Sequence, residues 1–126
     1  MSDLLWVSIG GAIGASVRYV LGIWIIGRIG ASFPWNTMVV NISGGLAIGI
    51  SLTLLTERII ADPAWRLLLV VGFLGGYTTF SSYTFEALAL LEAGAWFSAV
   101  WYVLGSNGLG LLATYLGIVL ARVLIH

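Results

Sequence analysis

Four long apolar runs constrain this chain more than any other feature. A helix crosses the hydrocarbon of a bilayer in about 20 mainly apolar residues. Runs of that kind fall at about 4–27, 36–56, 67–91 and 96–120. The stretches between them are short: Arg28 to Trp35 with Pro34, Glu57 to Arg66 with Pro63, and Glu92-Ala93-Gly94. Nearly every residue then belongs to a span or a tight connection. The sequence predicts an all-α membrane protein, one four-helix transmembrane domain over residues 1–126. The first run is too long for a typical signal sequence and its flank, Ser2-Asp3, is not basic, so it is expected to stay as a span.

Composition closes off the other classes. Apolar residues make up 60% of the chain and charged residues 8%, whereas a soluble domain carries roughly a quarter charged residues. So few charges cannot cover a water-facing surface, which argues against a soluble enzyme. Net charge is zero, so no basic field draws a nucleic acid. Cys is absent, which removes thiolate metal sites and thiol nucleophiles. The one His, His126, cannot build a metal cage or a catalytic dyad alone. No GxxxxGK[ST] run is present to hold a nucleotide.

Charge also bears on topology. Four spans put both termini on one side, together with Arg58, Arg66 and Arg122. Arg28 falls on the other side, and Arg18 lies inside span one, leaning that way. Under the positive-inside rule this bias is weak. It fits either ordinary fixed insertion or a chain that inserts both ways round. Four lone helices have little room to enclose a pore, so a solute path argues for an oligomer, most simply a two-fold dimer. With both orientations present, that axis can lie in the membrane plane, as in transporters built from inverted repeats.

The polar residues within the spans form stripes. Thr37, Asn41, Gly45, Gly49 and Thr53 follow one another at i+4 in span two, and Tyr102, Ser106, Gly110 and Thr114 do so in span four, with Asn107 on the next stripe. Hydrocarbon offers polar groups no partner, so they turn inward or line water. Such stripes serve either as glue between helices or as a path. Gly10 and Gly14, like Gly45 and Gly49, fit close helix packing. Arg18 reads as an anchor at a water-filled vestibule or as an attractor for anions there. Glu86 reads as a partner of an Arg, a vestibule edge or, less readily, a proton-coupling carboxylate.

Span three carries Gly75-Gly76-Tyr77-Thr78-Thr79-Phe80-Ser81-Ser82-Tyr83 at its centre. A Gly pair and a Thr pair are poor helix formers, so either an unwound break or a Gly kink with packed aromatics is expected there, the break being favoured. Freed carbonyls at such a break suit a hard cation, which takes oxygen ligands. Phe80 and Tyr83, at i+3, share a side, where a small solute meets aromatic edges.

These residues carry a resemblance. Gly10 to Tyr19 (GGAIGASVRY), Asn36 to Gly44 (NTMVVNISG) and Gly75 to Ser81 (GGYTTFS), in this order in a four-span chain, are similar to the Fluc fluoride channels of the CrcB-like family. The resemblance covers essentially the whole chain. It implies an antiparallel, dual-topology homodimer in the plasma (inner) membrane, with two fluoride pores. It also implies a central structural Na+ held by the backbone carbonyls of Gly75 and Thr78. By the same resemblance Asn41 is the pore amide, Phe80 the first of an aromatic pair, and Tyr102, Ser106 and Thr114 a polar track. Arg18 then lies at the vestibule, and Ser81 and Thr114 are further candidate donors. The chain departs from the family twice: Tyr83 stands where Phe is usual, and Gly110 where Ser is typical. A rival reading is a small four-span multidrug–proton antiporter, but that chemistry needs a carboxylate embedded in span one, and Asp3 lies only at its edge.

Overall fold

The computed structural model describes residues 2–57 and 62–126. Arg58, one of the charges in the topology count, lies outside them. Four apolar helical spans are present: α1 (Ser2–Ile29), α2 (Trp35–Glu57), a composite third span (Pro63–Glu92) and α6 (Trp96–Ile125). The third span is assembled from α3 (Pro63–Trp65), a π-helical segment (Arg66–Leu74), α4 (Gly75–Tyr77) and α5 (Phe80–Glu92). It opens on a local signal: the Asp62 carboxylate accepts a 2.9 Å bond from the Ala64 amide, and Pro63 occupies the first turn. The connections after α1 and α5 turn at Gly30 (φ 95°) and Gly94 (φ 76°), a backbone region that only glycine enters freely.

Two glycine seams organise the bundle. Along the first, α1 lies against the third span. A Cβ on Gly10 would come within 2.8 Å of the Phe73 amide nitrogen, and one on Gly76 within 2.7 Å of the Gly11 carbonyl oxygen. Along the second, α2 lies against α6. A Cβ on Gly45 would sit 3.0 Å from the Gly110 carbonyl oxygen, and one on Gly117 3.0 Å from the Ile50 nitrogen. In lipid, where apolar side chains gain little by leaving solvent, this backbone approach holds helices together. The first half of the third span packs on α1, while α5 packs on α6. One span thus joins both pairs.

Gly14 is the tightest test of the first seam, since a Cβ there would lie 2.9 Å from the Phe73 carbonyl carbon and 3.0 Å from the Tyr77 nitrogen. Overpacking of this kind typically costs about 1–3 kcal/mol, and more where backbone must move. Gly14→Val is therefore expected to aggregate on size exclusion in detergent. Gly27→Ala, where nothing lies within 4 Å, is expected to elute as the wild type does.

Candidate functional site

The site begins where the third span stops being helical. Thr78 (φ −82°, ψ 155°) and Thr79 (φ −144°, ψ 120°) are extended, between α4 and α5. Each helix end orphans backbone donors or acceptors, and hydrocarbon supplies no replacement. Side chains from other helices do. The Asn41 amide donates through Nδ2 to the Thr79 carbonyl at 2.9 Å and accepts the Thr79 N–H at Oδ1 at 2.8 Å. Arg18 donates through Nε to the Gly76 carbonyl at 3.2 Å. Thr79 Oγ1 accepts the Ser82 amide at 3.2 Å and so caps α5. Ser43 and Tyr77 share a 2.8 Å hydroxyl contact behind it. Among the described residues, these bonds engage the carbonyls of Gly76 and Thr79 but not those of Gly75 and Thr78.

An open groove of about 370 Å³ runs past these residues. It brings together six of the residues expected to meet fluoride or Na+, Asn41, Gly75, Thr78, Phe80, Tyr83 and Ser106, with Gly45 and Asn107 of the polar stripes beside them. Phe80, the first residue of α5, is 76% exposed, and its ring lies 5.9 Å from that of Tyr83. The Ser106 hydroxyl is buried and has no partner among the described residues. Tyr83, buried, donates its hydroxyl to Asn107 Oδ1 at 3.3 Å.

A second cavity, about 210 Å³, is lined by Arg18, Asn36, Thr37, Ser82 and Glu86 among others. Here Glu86 finds hydroxyls rather than an Arg. Thr37 donates to Oε1 at 2.8 Å and Tyr102 to Oε2 at 3.3 Å. Arg18 is turned to the Gly76 carbonyl instead, and the one salt bridge among the described residues is Arg122 to Glu57, 2.7 Å, at the far end of α2. Thr37 and Glu86 are bonded to each other here, and neither is among the fluoride-path residues expected from the sequence. Thr37 was marked only by its place on the Asn41 stripe, four residues before Asn41, and Glu86 only by its charge within a span.

The remaining candidates sit apart. Tyr102 is fully buried and faces Glu86, beside a T-shaped contact with Phe33 at 5.5 Å. Ser81 is exposed, 3.4 Å from the Thr79 hydroxyl. Thr114 donates to the Gly110 carbonyl of its own helix at 3.1 Å, with Gly45 of α2 pressed against it. The two stripes are therefore divided along their length. Asn41, Gly45 and Ser106 line the groove, while Gly49 and Thr114, with the far side of Gly45, join α2 to α6.

This chain is similar to curated proteins of known name. A chain from Solibacter usitatus called "Fluoride-specific ion channel FluC" is 52% identical over 118 residues, 94% of this chain and 97% of that one. A protein of the same name from Roseiflexus sp. is 48% identical over 97% of this chain and 98% of its own. A third, from Thermus thermophilus, is 50% identical over 90% of this chain and 88% of its own. The family model described as "CrcB-like protein, Camphor Resistance (CrcB)" matches residues 5–118. With four apolar spans and a match of that extent, the chain is a multi-pass membrane protein and belongs to the CrcB-like family.

Proposed function

We propose that this protein is a fluoride-selective channel that lets cytoplasmic fluoride leave passively across the plasma membrane. The observation that carries the reading is the groove, where uncharged donors and aromatic edges converge with no carboxylate among them. Relatives named fluoride-specific channels over nearly the full length support it. They are named as channels, not as enzymes.

Fluoride is small and strongly hydrated, so a path must replace its water with donors. The second N–H of Asn41 and the unpartnered hydroxyl of Ser106 are such donors. Ring edges carry partial positive charge, so Phe80 and Tyr83 face the ion with their rims. Ser81 offers a hydroxyl at the mouth. Tyr102 contributes through Glu86 and Thr37, which end the polar chain at the second cavity, where Arg18 adds a positive charge. Thr114 lies where the path meets the α2–α6 seam. Conduction also requires that no single site hold the ion too tightly.

The groove is open on one side, and the 76% exposure of Phe80 leaves its ring without a wall. A second copy supplies that wall. An antiparallel, dual-topology homodimer gives two such paths, and the weak charge bias of the sequence is compatible with insertion in both senses. The carbonyls of Gly75 and Thr78, left over when Arg18 and Asn41 take their neighbours, fit a hard cation such as Na+. Bound there, a Na+ supplies positive potential at the break and joins the copies. Export needs no energy source. Hydrogen fluoride enters as a neutral acid and dissociates inside, and an inside-negative potential drives the anion out with about 2.3 kcal/mol per 100 mV.

The test is flux. Vesicles containing the protein and loaded with potassium fluoride are expected to discharge fluoride rapidly once valinomycin shunts the charge. Vesicles loaded with chloride are expected to hold it. Proton-linked release of an organic cation in place of fluoride would support the antiporter instead.

A further inference from the structure

We propose that Asn107 is a second amide donor on the fluoride path, oriented by the hydroxyl of Tyr83. The inference rests on the channel reading above. Asn107 is exposed in the middle of α6. An amide in that place is costly against lipid, so it belongs where water or an ion reaches it. It lines the groove beside Ser106, whose buried hydroxyl has no partner among the described residues. Across the groove stands Asn41, with one N–H unspent.

The tyrosine decides which end of the Asn107 amide faces the ion. Its O–H donates to Oδ1 at 3.3 Å. The oxygen is thereby occupied, and both N–H groups of Nδ2 remain available. The opposite orientation would present the carbonyl oxygen, which repels an anion. Tyr83 is itself held: its ring is buried and meets the Tyr102 ring edge-on at 5.2 Å and 61°. A phenylalanine at this position keeps the ring edge and loses the orienting hydroxyl. This chain thus couples its departure from the usual Phe to a donor on the neighbouring helix.

Four variants in fluoride-loaded vesicles test the pair, with size exclusion confirming wild-type elution for each. Asn107→Leu removes the donor and is expected to slow discharge about tenfold, the rate equivalent of one lost hydrogen bond in a dry site. Asn107→Asp keeps the shape but faces the anion with an acceptor or a negative charge, and is expected to slow it by about a hundredfold or more. A merely structural role gives the reverse order, since Asp is the closer isostere. Tyr83→Phe is expected to slow discharge about threefold, and to add nothing to Asn107→Leu in the double variant. The proposal is overturned if Asn107→Leu falls below Asn107→Asp, if either conducts within about twofold of wild type, or if the double variant is additive. A wild type that discharges no fluoride overturns the channel reading itself, which is a separate result.

Discussion

Asn41→Leu is expected to abolish fluoride discharge and to lower the stability of the fold. The side chain does two separate jobs. It binds both polar atoms of the Thr79 backbone, at 2.8 and 2.9 Å, and holds one N–H in reserve toward the groove. Leucine fills a similar space and makes none of these bonds. A buried backbone group left without a partner costs about 1–3 kcal/mol, so the two together cost about 2–6 kcal/mol, and hydrocarbon surroundings push toward the upper end. Hydrogen exchange separates the two jobs. In Asn41→Leu the Thr79 amide is expected to exchange much faster than in wild type, with a lower melting temperature in detergent. Asn41→Asp retains an acceptor for the Thr79 N–H but puts its other oxygen, an acceptor, where Nδ2 faced the Thr79 carbonyl and the groove. It is expected to protect the Thr79 amide partly and still to conduct no fluoride. Unchanged exchange at Thr79 in Asn41→Leu would show that the amide does not hold the backbone there.

Much of the architecture was legible in the sequence, because lipid leaves a chain few options. A run of about 20 apolar residues can only span as a helix. Glycines four apart favour close approach, and Gly10, Gly14, Gly45 and Gly49 all press on neighbouring backbone. The rest depended on distances that sequence spacing does not encode. Thr37 and Thr53 lie on one stripe of α2, yet Thr37 donates to Glu86 while Thr53 bonds to the Gly49 carbonyl of its own helix. Spacing fixes the face of a helix, and the depth at which a neighbour crosses fixes what that face meets. The Gly and Thr pairs of span three said nothing about who would serve the backbone there. Asn41 and Arg18 come from 38 and 58 residues away. The π-helical segment Arg66–Leu74 left no trace either, since an unbroken apolar run has no period to read. Glu86 shows the same limit. An acidic residue in a span suggests a cationic partner, but two hydroxyls reach it first.

Phe80→Ile is expected to separate conduction from stability, and so to be the sharpest test of the path. Phe80 opens α5 and is 76% exposed; its one aromatic contact among the described residues is the Tyr83 ring at 5.9 Å. Little in the fold depends on it, and changes at exposed positions usually stay within about 0.5 kcal/mol. Isoleucine is similar in bulk and equally at home in lipid. What it lacks is a ring edge with partial positive charge to offer an ion in the groove. A fluoride passing an aliphatic side chain at this position would give up hydration for nothing. At about 1.4 kcal/mol for each factor of ten, losing a few kcal/mol of ion stabilisation slows discharge by about a hundredfold or more. The expected result is a protein that elutes and melts as the wild type does, with vesicles that keep their fluoride. Full discharge through Phe80→Ile would remove the aromatic edge from the mechanism and leave the amides and hydroxyls to carry the ion. A variant that stops conducting only because it aggregates would place Phe80 among the residues that build the bundle, the role that Asn41 fills at the Thr79 backbone.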